Sequence, residues 1–152
     1  MRKNFISIGN CGEYFVAAEL ERRGFSVAVP MKNTPFFDLL AMHQKSKSLI
    51  SIQVKTTSEE KVRWRLNKKA EQYEDKNMFY IFVKLNDQEQ PDYYIIPSGI
   101  VCKTIREEHL KWLNTPGKKG QKHNDNNMRV FAIEDIDKYK NAWESLLELN
   151  IN

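Results

Sequence analysis

Stretches of helical period and stretches of strand character interleave along this sequence, and their order leaves few architectures open. From Ile8 to Arg23, Val16, Ala17 and Leu20 share one stripe with Phe15 and Ala18 beside it. That is helical spacing, and Gly24 supplies a stop. Phe25 to Val29 alternates apolar and small residues up to Pro30 and reads as a short strand. Phe36 to Met42 is apolar throughout except for Asp38. Leu49 to Lys55 alternates: Ile50, Ile52 and Val54 point one way, Ser51, Gln53 and Lys55 the other. The polar run His43 to Ser48 between them suits a hairpin loop.

Further on, Arg65 to Lys76 reads as a polar, charged helix. Met78 to Leu85 is a strongly apolar strand, and Tyr93 to Ile96 is another, closed by Pro97. Ser98 opens a helical pattern reaching Leu113, residues 114–127 form a loop, and Arg129 to Ile133 is a last strand. Asp135 to Leu149 is expected to be an amphipathic helix with Ile136, Tyr139, Trp143, Leu146 and Leu147 on one side. This order predicts an α/β (α+β) fold, a central mixed β-sheet flanked by helices.

With 152 residues the chain is expected to form one domain over residues 1–152. A chain of that size buries roughly 70% of its unfolded surface and needs no disulfide or metal staple. Cys11 and Cys102 are far apart and in no metal-ligand spacing, so both read as small buried residues. There is no apolar run long enough for a membrane span and no signal-peptide stretch, so a cytoplasmic location is expected.

The 24 Lys and Arg against 20 Asp and Glu give a formal net charge of +4, a mild bias towards anionic partners. The distribution is uneven. Lys55, Lys61, Arg63, Arg65, Lys68 and Lys69 face only Glu59 and Glu60 in the same stretch, and Lys118, Lys119 and Lys122 form a second basic group. Either one face meets an anion, or these are solvated surface cations.

Three features break local rules. Asp38 sits inside an apolar strand, where an isolated carboxylate is costly unless it is paired or binds a metal. Glu13 extends the apolar stripe of the first helix. Gln53 and Lys55 share one side of their strand, and pairing of that strand with Phe36–Met42 brings Asp38 towards them. Carboxylate and amide oxygens suit Mg²⁺. A nearby lysine orients or helps deprotonate an attacking water, or stabilises charge building on phosphate. The alternative is structural: Asp38 as a buried partner of Lys55, Glu13 as a solvated helix carboxylate, Gln53 on an edge strand.

The residues Gly9-Asn-Cys-Gly12-Glu13, Leu20-Glu-Arg-Arg-Gly24-Phe25, Pro35-Phe-Phe-Asp38-Leu-Leu-Ala and Ile52-Gln53-Val54-Lys55-Thr56-Thr57 follow one another with spacings that resemble the PD-(D/E)XK nuclease superfamily. They cover about a third of the chain. The resemblance implies a restriction-endonuclease-like core and hydrolysis of DNA phosphodiester bonds with Mg²⁺ (or Mn²⁺). Asp38 is then the central metal ligand, Lys55 the motif lysine and Glu13 the helix-one acid. Gln53 stands where many members carry an acid. It keeps a carbonyl oxygen for the metal but loses the charge, with Glu13 left to supply it. Small members of the group often work with a second copy or a partner protein, so a homodimer or such a partner is implied, with DNA or RNA as the nucleic acid. The competing readings are a nucleic-acid-binding module that no longer cuts, and an accessory protein that uses the fold for protein contacts.

Lys61, Arg63, Arg65, Lys68 and Lys69 are candidate phosphate contacts, and Trp64 among them either stacks on a base or packs under the domain. Gly9 and Gly12 either sit inside the helix because another backbone approaches closely, or lie in a turn before it. His43, His109 and His123 have no evident partner and read as non-catalytic.

Overall fold

The structure, a computed structural model, describes residues 5–31 and 36–147. In chain order its elements are α1 (Phe5–Glu21), β1 (Phe25–Ala28), β2 (Leu39–His43), β3 (Leu49–Thr57), β4 (Trp64–Asn67), β5 (Met78–Asn86), β6 (Glu89–Pro97), α2 (Ser98–Asn114) and β7 (Met128–Phe131). Short 3-10 helices occupy Lys68–Gln72, Ile136–Tyr139 and Trp143–Leu146.

The apolar run at Met78 explains the layering. Alternate side chains of a strand point to opposite faces, so a continuously apolar strand needs cover on both. Phe79, Ile81 and Val83 of β5 join Val16 and Leu20 of α1, Ile50, Ile52 and Val54 of β3 and Ile95 of β6 in one core. Met78, Tyr80 and Phe82 point the other way, to a second core with Val101 and Ile105 of α2 and with Trp64, Leu66 and Phe131. The five-stranded sheet between these layers has the order β1-β2-β3-β5-β6. Its pairs are antiparallel except β3–β5, which is parallel with Gln53 opposite Tyr80 and Lys55 opposite Phe82. β4 and β7 form a separate antiparallel pair, with Trp64 opposite Phe131. The mixed sheet flanked by two helices is the α+β architecture expected from the order of elements. Among the described residues no helix is long and apolar enough to cross a membrane.

Two segments depart from expectation. Arg65 to Lys76 is not a helix: Trp64 and Leu66 point inward and Arg65 and Asn67 outward as β4, and a 3-10 helix follows, its first turn capped by the Asn67 side chain accepting from the Lys69 N–H at 3.0 Å. Asp135 to Leu149 is not one amphipathic helix either. Asn141 adopts φ 54°, its N–H donates to the Tyr93 carbonyl at 2.8 Å, and Lys140 pairs with Tyr94. Main-chain bonds to β6 therefore interrupt the helix. Ile136 is delivered to one core and Trp143 and Leu146 to the other. The last residues of that expected helix, Glu148 and Leu149, lie outside the described residues.

Gly9 and Gly12 both lie inside α1. A Cβ on Gly12 would overlap Thr56 Oγ1, whereas among the described residues nothing outside the helix's own backbone lies within 4 Å of a Cβ on Gly9. Close approach of helix to sheet thus requires glycine at 12 and not at 9. Gly9→Ala should raise stability by up to about 1 kcal/mol, the helix-propensity difference. Gly12→Ala should lower it by about 1–2 kcal/mol, overlap outweighing propensity, and adding Thr56→Ala should return part of that loss. Urea unfolding midpoints read all three, and a gain at both glycines would contradict this helix–sheet contact.

Candidate active site

β2 stops opposite Ile52 while β3 continues to Thr57. Beyond Ile52, β3 has lost its antiparallel neighbour, and Asp38, the residue before β2, fills the gap. Its own N–H donates to the Ile52 carbonyl at 2.8 Å. Its Oδ2 accepts the Val54 N–H at 2.8 Å and also accepts from the Gln53 side-chain amide. The acid interrupting an apolar run is thus a side chain standing in for a main-chain partner. Just before it, Phe36 is held at φ 87°, an uncommon conformation for a bulky residue. Its ring meets Tyr73 edge-on with centroids 4.7 Å apart.

Glu13 on α1 and Lys55 on β3 complete the cluster. Burial raises the Glu13 carboxyl above the usual range; the Asp38 charge raises it further and Lys55 pulls it back. Burial also raises Asp38, opposed by the Val54 N–H, by Lys55 and by the Gln53 bond. Each carboxylate therefore lies in the field of the other and of Lys55. Tyr80, opposite Gln53 on β5, is 1% exposed, and burial pushes its phenol well above the usual tyrosine range, with Asp38 adding to the shift. Among the described residues Lys55 is the cation whose charge acts on both carboxylates, and oxygen donors of this kind suit a hard divalent cation. Among the described residues there is no metal-binding group of three or more His, Cys, Asp or Glu side chains. The donor set that fits is two acids with the Gln53 carbonyl in third place.

The expected nucleic-acid contacts divide. Lys61 and Lys69 are exposed. Arg63 Nε lies 3.3 Å and Arg65 Nη2 3.6 Å from the Glu59 carboxylate, and Lys68 Nζ donates to Asp125 at 2.8 Å. Trp64 does not offer a ring to a base. It is 2% exposed, packs against Phe82 and Tyr94, and donates its indole N–H to the Val83 carbonyl at 3.0 Å. The histidines do have partners: His43 meets Phe25 and Ser46, His109 meets Asp125 at 2.7 Å, and Trp112 stacks between His109 and His123. The roles of Tyr80 and Glu59 were not read from sequence. Tyr80 is placed by the parallel β3–β5 register and Glu59 by the bend after β3, and neither leaves a local pattern.

A family model described as PD-(D/E)XK endonuclease matches residues 4–134. No curated protein matches the chain. Among solved structures, the bacterial homing endonuclease I-Ssp6803I superposes with a TM-score of 0.58 at 15% identity, over 95% of this chain and 92% of that one. Hjc, a Holliday junction resolvase of Archaeoglobus fulgidus, gives 0.49 at 12% identity over 87% and 88%. At 15% identity the first likeness is one of fold.

Proposed function

The chain belongs to the PD-(D/E)XK endonuclease family, and from that premise we propose that it hydrolyses DNA phosphodiester bonds with the help of Mg²⁺ or Mn²⁺. The observation that carries this reading is the Asp38 carboxylate, bonded to the Val54 N–H and Gln53 and sharing its field with Glu13 and Lys55. Glu13, Asp38 and the Gln53 carbonyl would hold the cation. When bound, it supplies Lewis acidity and neutralises charge at the phosphoryl group. The protein's share is positioning and electrostatics. The main-chain bond fixes the Asp38 carboxylate, so its geometry does not have to be organised during the reaction. Lys55 would assist the attacking water, or donate to a phosphoryl oxygen to stabilise the charge building there. A nuclease fold that binds nucleic acid without cutting is the second reading, favoured by the neutral amide at Gln53. Cleavage of DNA by the wild type with Mg²⁺ or Mn²⁺ separates the two.

Gln53 gives the direct test of the metal shell. Gln53→Glu adds a full negative charge at nearly the same volume, and the charge count of the ligands sets affinity for hard cations. The Mg²⁺ dissociation constant should fall by roughly tenfold in Gln53→Glu and rise in Gln53→Ala. Without metal, Gln53→Glu should be less stable than wild type, because an amide N–H facing Asp38 becomes a second carboxylate. Calorimetric titration gives the constants, and three equal values in folded proteins would place Gln53 outside the shell.

A further inference from the structure

At the end of β3, beyond Lys55, a cavity of about 180 Å³ is lined by Thr56, Thr57, Ser58, Glu59, Arg63 and Arg65, among others. Two cations, hydroxyl side chains and one acid share its wall. The Thr56 hydroxyl is not part of that wall's chemistry: it is buried against Gly12 of α1. Glu59 is held at the mouth by its N–H donating to Thr57 Oγ1 at 3.2 Å, and its carboxylate faces both Arg63 and Arg65. These are exposed pairs, with side chains 45–62% accessible, and exposed pairs contribute no more than about 1 kcal/mol each. Arginine binds phosphate more strongly through paired N–H donors. A cheap internal anion therefore occupies two donors that a phosphate would hold better.

We propose that this cavity binds a DNA backbone phosphate next to the one being cut, and that Glu59 occupies the arginines in its place until DNA arrives. The inference rests on the proposed nuclease reading and adds a second phosphate position to it. Thr57 lies two residues beyond Lys55, about 7 Å along an extended strand, so a phosphate here belongs to the same nucleic-acid strand as one at Lys55. Glu59 both lowers affinity for DNA and keeps the two guanidiniums from binding other anions.

The test is a cycle of dissociation constants for a short labelled DNA duplex, without divalent metal and at fixed salt. Glu59→Gln should bind roughly three- to tenfold more tightly, the fold-change that two exposed ion pairs convert to. In the Arg63→Ala/Arg65→Ala background the same change should give no gain. That double variant alone should lower the slope of log affinity against log salt by up to about two units. Glu60→Gln, one residue along and also exposed, should change affinity less than Glu59→Gln. An equal gain from Glu60→Gln, or a Glu59→Gln gain that survives loss of both arginines, overturns the proposal by showing a general charge effect. If no protein in the cycle binds DNA, the phosphate site falls, while hydrolysis is decided separately by cleavage with Mg²⁺ or Mn²⁺. If the cycle couples as expected but DNA is never cut, the phosphate site stands and hydrolysis falls.

Discussion

Asp38→Asn should reduce phosphodiester hydrolysis by at least about a thousandfold, since charge stabilisation at a metal centre contributes several kcal/mol and each 1.36 kcal/mol is a factor of ten. The same variant should make the metal-free protein more stable at neutral pH. Burial raises Asp38 and Glu13 above their usual values. Both groups therefore take up protons on folding as pH falls, and native stability from this pair is highest in acid. It declines as pH rises from about 4, the unfolded range, through the raised native values. Asn removes one of the two charges and can still accept the Val54 N–H, so its stability should decline less over that window. Excess Mg²⁺, at about a hundredfold its dissociation constant, should stabilise the wild type by about 2.7 kcal/mol and should stabilise Asp38→Asn far less. Urea midpoints with and without metal across pH test this. A variant that gains as much from Mg²⁺ as the wild type would remove Asp38 from the metal site.

Trp64→Ala should cost about 3–5 kcal/mol, the range for deleting a large buried aromatic side chain. In a protein of this size that lowers the melting temperature by roughly 10 °C. The ring lies between Phe82 and Tyr94, Phe82 in turn stacks on Phe131 at 4.5 Å, and the indole ties β4 to the Val83 carbonyl of β5. Trp64→Phe should keep most of the packing and lose about 0.5–1.5 kcal/mol for the missing indole–carbonyl hydrogen bond. At temperatures where both are folded, DNA affinity should match the wild type. Weaker binding with unchanged stability would restore Trp64 to the surface role that its basic neighbours suggested.

What was legible in the sequence was what local spacing encodes. The alternation at Leu49–Lys55 placed Gln53 and Lys55 on one side, and the single acid in Phe36–Met42 marked Asp38. Both positions depend on a hairpin, a short-range structure. β4 leaves no strand signal of its own, because four residues with two outward-facing polar side chains look like a charged helix unless β7 is known to lie beside them. The C-terminal stripe Ile136, Tyr139, Trp143 and Leu146 misled for a related reason. Spacings of three and four also fit separate 3-10 turns, and the break at Asn141 comes from β6, far away in sequence. Trp64 was ambiguous until Phe82, Tyr94 and Val83 gave it neighbours. Glu59 was visible only as an acid among cations, since its two arginines meet it through a bend.

The short reach of β2 has another consequence. A strand that outruns its neighbour presents unpaired N–H groups, a template on which a strand of another chain can add and begin an aggregate. Here the Asp38 carboxylate takes the Val54 N–H, and Lys55 beside it places a charge along the same stretch. The groups proposed to cut DNA thus also guard an open sheet edge. Asp38→Ala would strip the acid from that edge and leave the Val54 N–H without its acceptor, whereas Asp38→Asn keeps an oxygen there. Loss of solubility and loss of chemistry would coincide in the first variant and separate in the second.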